Sequence, residues 1–339
     1  MNAELQKFLR VSEAKGIHFQ PSVSKLAMDA DPQPQLAANG GIPTIVSTFI
    51  DPTIVETLFA PNKAVQIFGG KEEKRGAWAQ DSFLIQRIEG TGDTVAYDDY
   101  SEQGANQITS EWEQREVYRF QTMVTYGELE QERYGLAMLP YVAKKQQQAI
   151  RIIDQDANKF YFYGVSGRKN YGLLNDPSLP APITPLTVGS AVLWSAKAVV
   201  DKYNDILALY EQLLAQTNGI VGDGIDMASP LVLVMSTKLS INLKSANEIF
   251  ATSLEDMLKK AFPNMRIETA PQYSTDSGEL IQMFVEGAQG QDTGFMAYSE
   301  KLRAHNLIPS VSSYKQKYSA STYGCVITMP MLFAQMLGA

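Results

Sequence analysis

The side chains that can do chemistry are few in this 339-residue sequence, and they stand far apart. The two histidines, His18 and His305, have no partner at metal-ligand spacing, and neither neighbours the single cysteine, Cys325. A structural zinc site needs four closely spaced Cys or His ligands, and a nucleophilic thiol needs a base beside it. Neither can be built. Cys325 cannot form an internal disulfide, and its apolar, strand-like surroundings read as those of an inert core thiol. Carboxylates occur in pairs at Asp98–Asp99 and at Glu111 and Glu113. Paired acids serve acid–base catalysis when an apolar pocket moves one pKa away from the other, whereas these stand among polar neighbours and read as a solvated face. VGDGIDM, residues 221–227, carries an acidic glycine turn but lacks the alternating oxygen ligands and distal glutamate of a calcium loop, so it reads as a surface turn. The phosphate-cradling, nucleophile-elbow and dinucleotide glycine motifs do not occur. The sequence therefore predicts no catalytic residue, no metal ligand and no cofactor, and a protein that is not an enzyme.

Charge and composition narrow the classes further. Apolar residues make up 45% and charged residues 19% of the chain, enough for a sizeable core in one large domain or two. A net charge of −8 argues against a protein whose task is to grip nucleic acid, because phosphate neutralisation supplies most of that affinity. It is compatible with a shell that encloses DNA without gripping it. No apolar run is long enough to span a bilayer, and the opening MNAELQKFLRVSEAKG lacks the pattern of a signal peptide. Synthesis in the cytoplasm and no membrane contact are the expectations.

The elements that must position these side chains follow from periodicity. Residues 1–48, with Pro21, Pro32, Pro34, Pro43 and paired glycines at 40 and 41, read as an extended arm or a disordered tail. Asp51 and Pro52 open a short helix to about Leu58. AWAQDSFLIQRIEG and ITSEWEQREVYRFQTMVTYG are strand-like; in the second, Ile108, Trp112, Tyr118, Phe120, Val124 and Tyr126 alternate with charged residues including Arg115 and Arg119, which predicts one long strand with one buried face. Between the two runs lies a polar, acidic, glycine-marked segment, so roughly residues 72–120 form a two-stranded ribbon with an acidic tip. A lone ribbon is marginal in water and needs a surface to lie on, on its own domain or on a neighbouring subunit.

From Met138 to Tyr163 the period becomes helical, with Val142, Ala149, Ile153 and Phe160 on one stripe, and Gly164 and Gly167 stop the helix. NYGLLNDPSLPAP follows, a proline-studded strap that nevertheless carries Leu173, Leu174 and Leu179. Beyond residue 190 comes an amphipathic helix with Val199, Tyr203, Ile206, Tyr210 and Leu213. The continuous apolar run PLVLVMS, a Ser253/Asp256-capped helix and several short strands complete an α/β or α+β unit. The tail, from about residue 300, returns to strand character.

This order, with YGLLNDPSL directly after the long helix, resembles the major capsid proteins of tailed bacteriophages, the fold named after phage Hong Kong 97, to which encapsulin shells are related. The resemblance implies an α+β chain divided into an N-terminal arm (1–48), a short helix with an extended β-ribbon loop (49–127), a peripheral domain with a long spine helix (128–190), an axial domain (191–299) and strands returning to the peripheral domain (300–339). It implies a self-assembling icosahedral shell of pentamers and hexamers around double-stranded DNA in a virion, assembled in the host bacterial cytoplasm. Portal, scaffolding or decoration proteins are the further partners it implies. An encapsulin-like compartment around protein cargo is the alternative. Some members crosslink through a lysine of the extended loop, but between Arg75 and Arg115 there is no lysine, so noncovalent shells are expected. The arm is also too short and proline-rich for a built-in helical scaffold. The candidate contacts between subunits are the acidic tip and ribbon (Asp98, Asp99, Glu102, Trp112) meeting basic residues of the long helix (Lys144, Arg151) or returning strands (Arg303, Lys315).

Overall fold

The computed structural model describes residues 17–19, 34–36, 62–100, 104–136, 140–188, 192–217, 229–245, 252–288 and 290–339. The chain divides into two units, Met1–Thr57 and Leu58–Ala339. In the first, β1 (Ile17–Phe19) and β2 (Pro34–Leu36) pair antiparallel. The rest of the expected arm, the helix from Pro52, Glu102 and the 221–227 turn lie outside the described residues.

The second unit begins with α1 (Ala64–Ile67), β3 (Glu72–Lys74), β4 (Ser82–Gly92), β5 (Asn106–Glu116) and β6 (Tyr118–Gly127). Next come α2 (Glu128–Leu136), α3 (Tyr141–Tyr163), α4 (Val199–Thr217), β7 (Leu231–Met235), α5 (Leu254–Ala261) and β8 (Arg266–Thr269). Short strands β9 (Ser274–Thr275), β11 (Gly287–Ala288) and β12 (Gln291–Asp292) flank the longer β10 (Gly278–Val285) and β13 (Gly294–Tyr298). The tail holds β14 (Arg303–Ala304), β15 (Ile308–Pro309), β16 (Ser313–Thr322), β17 (Gly324–Ile327) and β18 (Phe333–Leu337). The chain is α+β, as expected.

One sheet runs β18-β10-β7-β8, with β9 added to β10. Its centre explains the unalternating run PLVLVMS. Leu231, Leu233 and Met235 of β7 face a core closed by Ile206, Leu209 and Leu213 of α4 and Leu254 and Leu258 of α5. Val232 and Val234 face a second core with Phe162, Leu173, Phe284 and Phe333. A strand covered on both faces needs apolar residues at every position. Each fully buried side chain of this size contributes about 1.5–3 kcal/mol. The Ser253/Asp256 capping box that opens α5 forms as expected.

A second sheet pairs β6 with β16 over ten residues, with β14 and β15 on the far side of β16. The long helix α3 packs across it, placing Ala149 and Ile153 against Val124, Tyr126, Tyr318 and Ala320. Its 23 residues span about 35 Å. A third, smaller sheet runs β17-β13-β3.

Three expectations are corrected. Ile108–Tyr126 is not one strand. It breaks at the buried Val117, whose N–H donates to Asp81 O at 2.8 Å, and β5 stays with β4 while β6 crosses to β16. The alternation is real in both halves, but its apolar face is buried only in β6, where α3 covers it. Arg115, placed on the polar face by that alternation, is fully buried. The tail does not return as one group either: β16 pairs with β6, β17 with β13, and β18 with β10.

Candidate assembly surface

The ribbon is built from β4 and β5, paired without a bulge from Ser82↔Glu116 to Gly92↔Asn106. Strand pleating sends alternate residues to opposite faces, so the register sorts the ribbon into two sides. One side faces its own subunit near the root: Phe83 and Ile85 pack on Val117, Phe295, Tyr323 and Val326. The other side carries Leu84, Ile88, Ile108 and Trp112, which remain 57–69% exposed. From Ile88 to Ser110 the described residues of the ribbon are all exposed. Four large apolar side chains thus share one exposed face.

At the tip, Asp98 accepts a hydrogen bond from the Tyr100 N–H at 3.3 Å, and Asp99 accepts one from the Tyr97 hydroxyl at 2.5 Å. These are local turn bonds, and Tyr97 and Tyr100 are themselves 90% and 96% exposed. The acid beside Tyr97 raises that phenol's pKa. Among the other expected contact residues, Trp112 sits midway along β5 opposite Gln86. Lys144 and Arg151 lie on α3, the first half-buried and the second exposed. Arg303 is on β14, with its guanidinium 5.6 Å from the centre of the Trp78 ring, and Lys315 is exposed on β16 opposite Thr125 and Ile308.

The root of the ribbon holds a cluster that the sequence reading missed. Arg115 Nη2 lies 2.7 Å from a Glu113 oxygen and 2.7 Å from Asp176 Oδ2, with the guanidinium 4.8 Å from the centre of the Tyr171 ring. Arg87 pairs with the same Glu113 at 2.7 Å and donates to Ile327 O at 3.1 Å. Glu113, read as part of a solvated face, therefore bridges two arginines. A cleft of about 300 Å³ opens beside it, lined by Trp112, Lys169, Tyr171, Asp176, Pro177 and Ser178 among others. Nothing local in the sequence signals this cluster, because Arg115 and Asp176 stand 61 residues apart.

The strap's composition now has a physical account. Gly172 runs so close to the helix end that an added Cβ would stand 2.3 Å from the Phe162 carbonyl carbon, and Gly324, at φ +80°, passes the Tyr171 carbonyl as closely. Leu173 and Leu174 donate backbone hydrogen bonds to Tyr161 O and Phe162 O, while Cys325 donates to Tyr171 O. Asn175 Oδ1 accepts the Gly172 N–H at 2.7 Å and its Nδ2 donates to Tyr163 O. Asp176 Oδ1 accepts from both N–H and hydroxyl of Ser178. Leu173 is fully buried and Leu174 and Leu179 pack against the same core. Burial in that core pushes the Cys325 thiol pKa well up, which leaves the thiol protonated and inert. Tyr161, also buried and facing Glu72 at 2.8 Å, is likewise raised. Among the described residues no group of three His, Cys, Asp or Glu side chains converges as metal ligands would, and no helix is long and apolar enough to cross a membrane.

Comparison with known proteins agrees with this architecture. The fold is similar to the capsid of the myovirid phage XM1, at a TM-score of 0.70 and 14% identity, covering 89% of this chain and all of that one. It is also similar to Gordonia phage Cozz (TM-score 0.57, 9% identity, 93% of this chain and 98% of that one) and to the capsid of an empty GTA particle (0.56, 10%, 89% and 100%). None of the curated proteins matches. The family model of the Pa193 gp26 major capsid protein matches residues 33–338, nearly the whole chain, and the protein therefore belongs to that family of phage major capsid proteins.

Proposed function

We propose that this major capsid protein closes into an icosahedral shell of pentamers and hexamers around the double-stranded DNA of a tailed phage, and that the shell forms in the host cytoplasm. The observation that carries the reading is the apolar outer face of the ribbon, Leu84, Ile88, Ile108 and Trp112, exposed on a projecting two-stranded element that is marginal alone. A second copy of the chain supplies the missing surface. The acidic tip, with Asp98 and Asp99, then meets basic residues of a neighbour, with Lys144, Arg151, Arg303 and Lys315 as candidates. Such exposed pairs are weak and screened by salt, so they orient the contact while apolar burial holds it.

In this reading the segment to residue 48 is an arm, 49–127 holds the extended loop, 128–190 the peripheral domain and 191–299 the axial domain. Portal, scaffolding or decoration proteins attach to the shell, the DNA is enclosed without sequence readout, and no step of assembly requires catalysis. The net charge of −8 suits a container that does not grip its contents. The family match over residues 33–338 favours a genome shell over a compartment for protein cargo.

Electron microscopy of the purified protein, with nuclease-protected contents assayed as DNA or protein, tests this. Closed shells around DNA are expected from infected cells. Shells that enclose only a discrete protein would overturn the genome reading. Boiling in detergent should release single chains, and a ladder of multiples on a denaturing gel would overturn the noncovalent reading.

A further inference from the structure

We propose that the strap is the seat that sets the angle of the ribbon, with Arg115, Asp176 and Asn170 as positioning residues for assembly. The inference rests on the reading of the ribbon as a contact between subunits, and it concerns which residues aim that contact.

The argument begins with leverage. Among the described residues, the ribbon is exposed from Ile88 outward. From the root pair Ser82–Glu116 to the last pair Gly92–Asn106, about 3.4 Å per residue gives a lever of roughly 34 Å, so a tilt of about 10° at the root moves that end by roughly 6 Å. An error of that size separates a fitted interface from none. Phe83 and Ile85 bury area at the root, but apolar contacts are non-directional and permit small rotations.

Direction comes from the strap. Within three consecutive residues at the end of β5 and the break that follows, the strap and the two residues before it make contacts from several sides. Glu116 N–H donates to Lys169 O at 2.9 Å, Asn170 Nδ2 donates to Glu116 O at 3.1 Å and to Thr322 O at 3.0 Å, and Arg168 Nη1 donates to Val117 O at 3.2 Å. The Arg115–Asp176 pair completes the set, with both side chains essentially out of solvent. A buried ion pair contributes little net stability once desolvation is counted, so its presence here calls for a different role. Arg115 meets both carboxylates through the single Nη2 and lays its planar guanidinium on Tyr171, and this charge contact and ring contact together hold one orientation, which apolar substitutes of equal volume would not. Asp176 is in turn fixed by Ser178, and Asn175 ties the strap to the last turn of α3. The ribbon's aim is thereby referred to the long helix and to the sheet beneath it.

The test is the double variant Arg115→Met with Asp176→Leu, which removes both charges together, compared with a variant whose ribbon is shortened by replacing residues 89–109 with Asn-Gly. The double variant is expected to melt within about 5 °C of the parent and yet give at least tenfold fewer closed shells of uniform diameter. Parent-like yield and diameter would overturn the seat. Should the double variant not fold, Arg115→Lys keeps the charge without the planar guanidinium that lies on Tyr171. It is expected to give soluble subunits at parent yield that form open or mixed-size assemblies, and a parent-like size distribution would overturn the proposal. The shortened ribbon separates the two ideas. If it still builds normal shells, the ribbon reading itself fails. If it builds none while the Arg115 and Asp176 variants assemble normally, only the seat fails.

Discussion

Strands β4 and β10 have opposite fates although both are rich in large apolar residues. β10 is buried at every position but its first, between β7 and β18 and between two cores. Among the described residues, β4 pairs only with β5 and is uncovered beyond Ile88. The first strand is finished by folding; among the described residues the second is left half-covered. Strand-forming sequence alone does not distinguish them, because pleating and propensity are shared. What differs is whether helices are available to cover both faces, as α4 and α5 do on one side of the β10 sheet.

The sharpest way to break this contrast is to place one carboxylate in each region. Val234→Asp on β7 puts an unpaired charge between two closed layers and should cost at least about 3 kcal/mol, read as loss of the cooperative melt. Ile153→Asp beneath the β6–β16 sheet should do nearly as much, and an unchanged melting temperature would contradict its buried position. Replacing residues 89–109 by Asn-Gly, a favoured two-residue hairpin turn, should leave the melt of the subunit within about 1 kcal/mol of the parent and abolish shells. Global unfolding of that variant would place the ribbon in its own subunit's core. The paired substitution Ile88→Asp with Ile108→Asp should likewise spare the melt and lower shell yield severalfold, as measured by sedimentation. Normal yield would remove the apolar stripe from the interface.

Charge effects should be smaller. Asp98→Lys with Asp99→Lys is expected to impair assembly more than folding, and most clearly at low salt, since exposed pairs are screened over about 10 Å at 0.1 M ionic strength. Indifference to both substitution and salt would separate the acidic tip from assembly. Smallest of all is a pH effect on the well-covered side. Hydrogen bonds from Lys244 and Lys259 lower the Glu255 pKa to about 2. A carboxylate whose folded pKa is depressed stabilises above its unfolded pKa and loses that contribution as pH falls toward the folded value. Glu255→Gln should therefore cost no more than about 1 kcal/mol at neutral pH, and the difference from the parent should shrink between about pH 5 and pH 2. A difference that grows on acidification would contradict this pairing.

Much of the fold was legible because it is local. The helical stripe through Ala149 and Ile153, the Ser253/Asp256 cap and the doubly buried run of β7 each depend on residues within one or two turns or one strand. The ribbon was legible as two strand-like runs around an acidic segment, of which Asp98 and Asp99 are exposed. The strap was legible as an odd composition, and its leucines as packing residues. Its polar residues were not understood, because nothing near them in sequence uses them.

What only the tertiary structure decided is where partners come from. The alternation across residues 108–126 fixes two faces, yet whether a face is buried depends on α3, which arrives later in the chain and covers β6 but not β5. Arg115 stands at a polar position of that alternation and is nevertheless buried, because its counter-charge, Asp176, lies 61 residues away and is brought to it by the close passage of the strap at Gly172 and Gly324. Local pattern determines what a segment can offer, and the burial of a charge depends on what distant chain is folded against it. The sequence by itself therefore settled the long helix, the β7 run and the two strand-like halves of the ribbon, while the break at Val117 and the burial of Arg115 against Asp176 were decided by long-range packing.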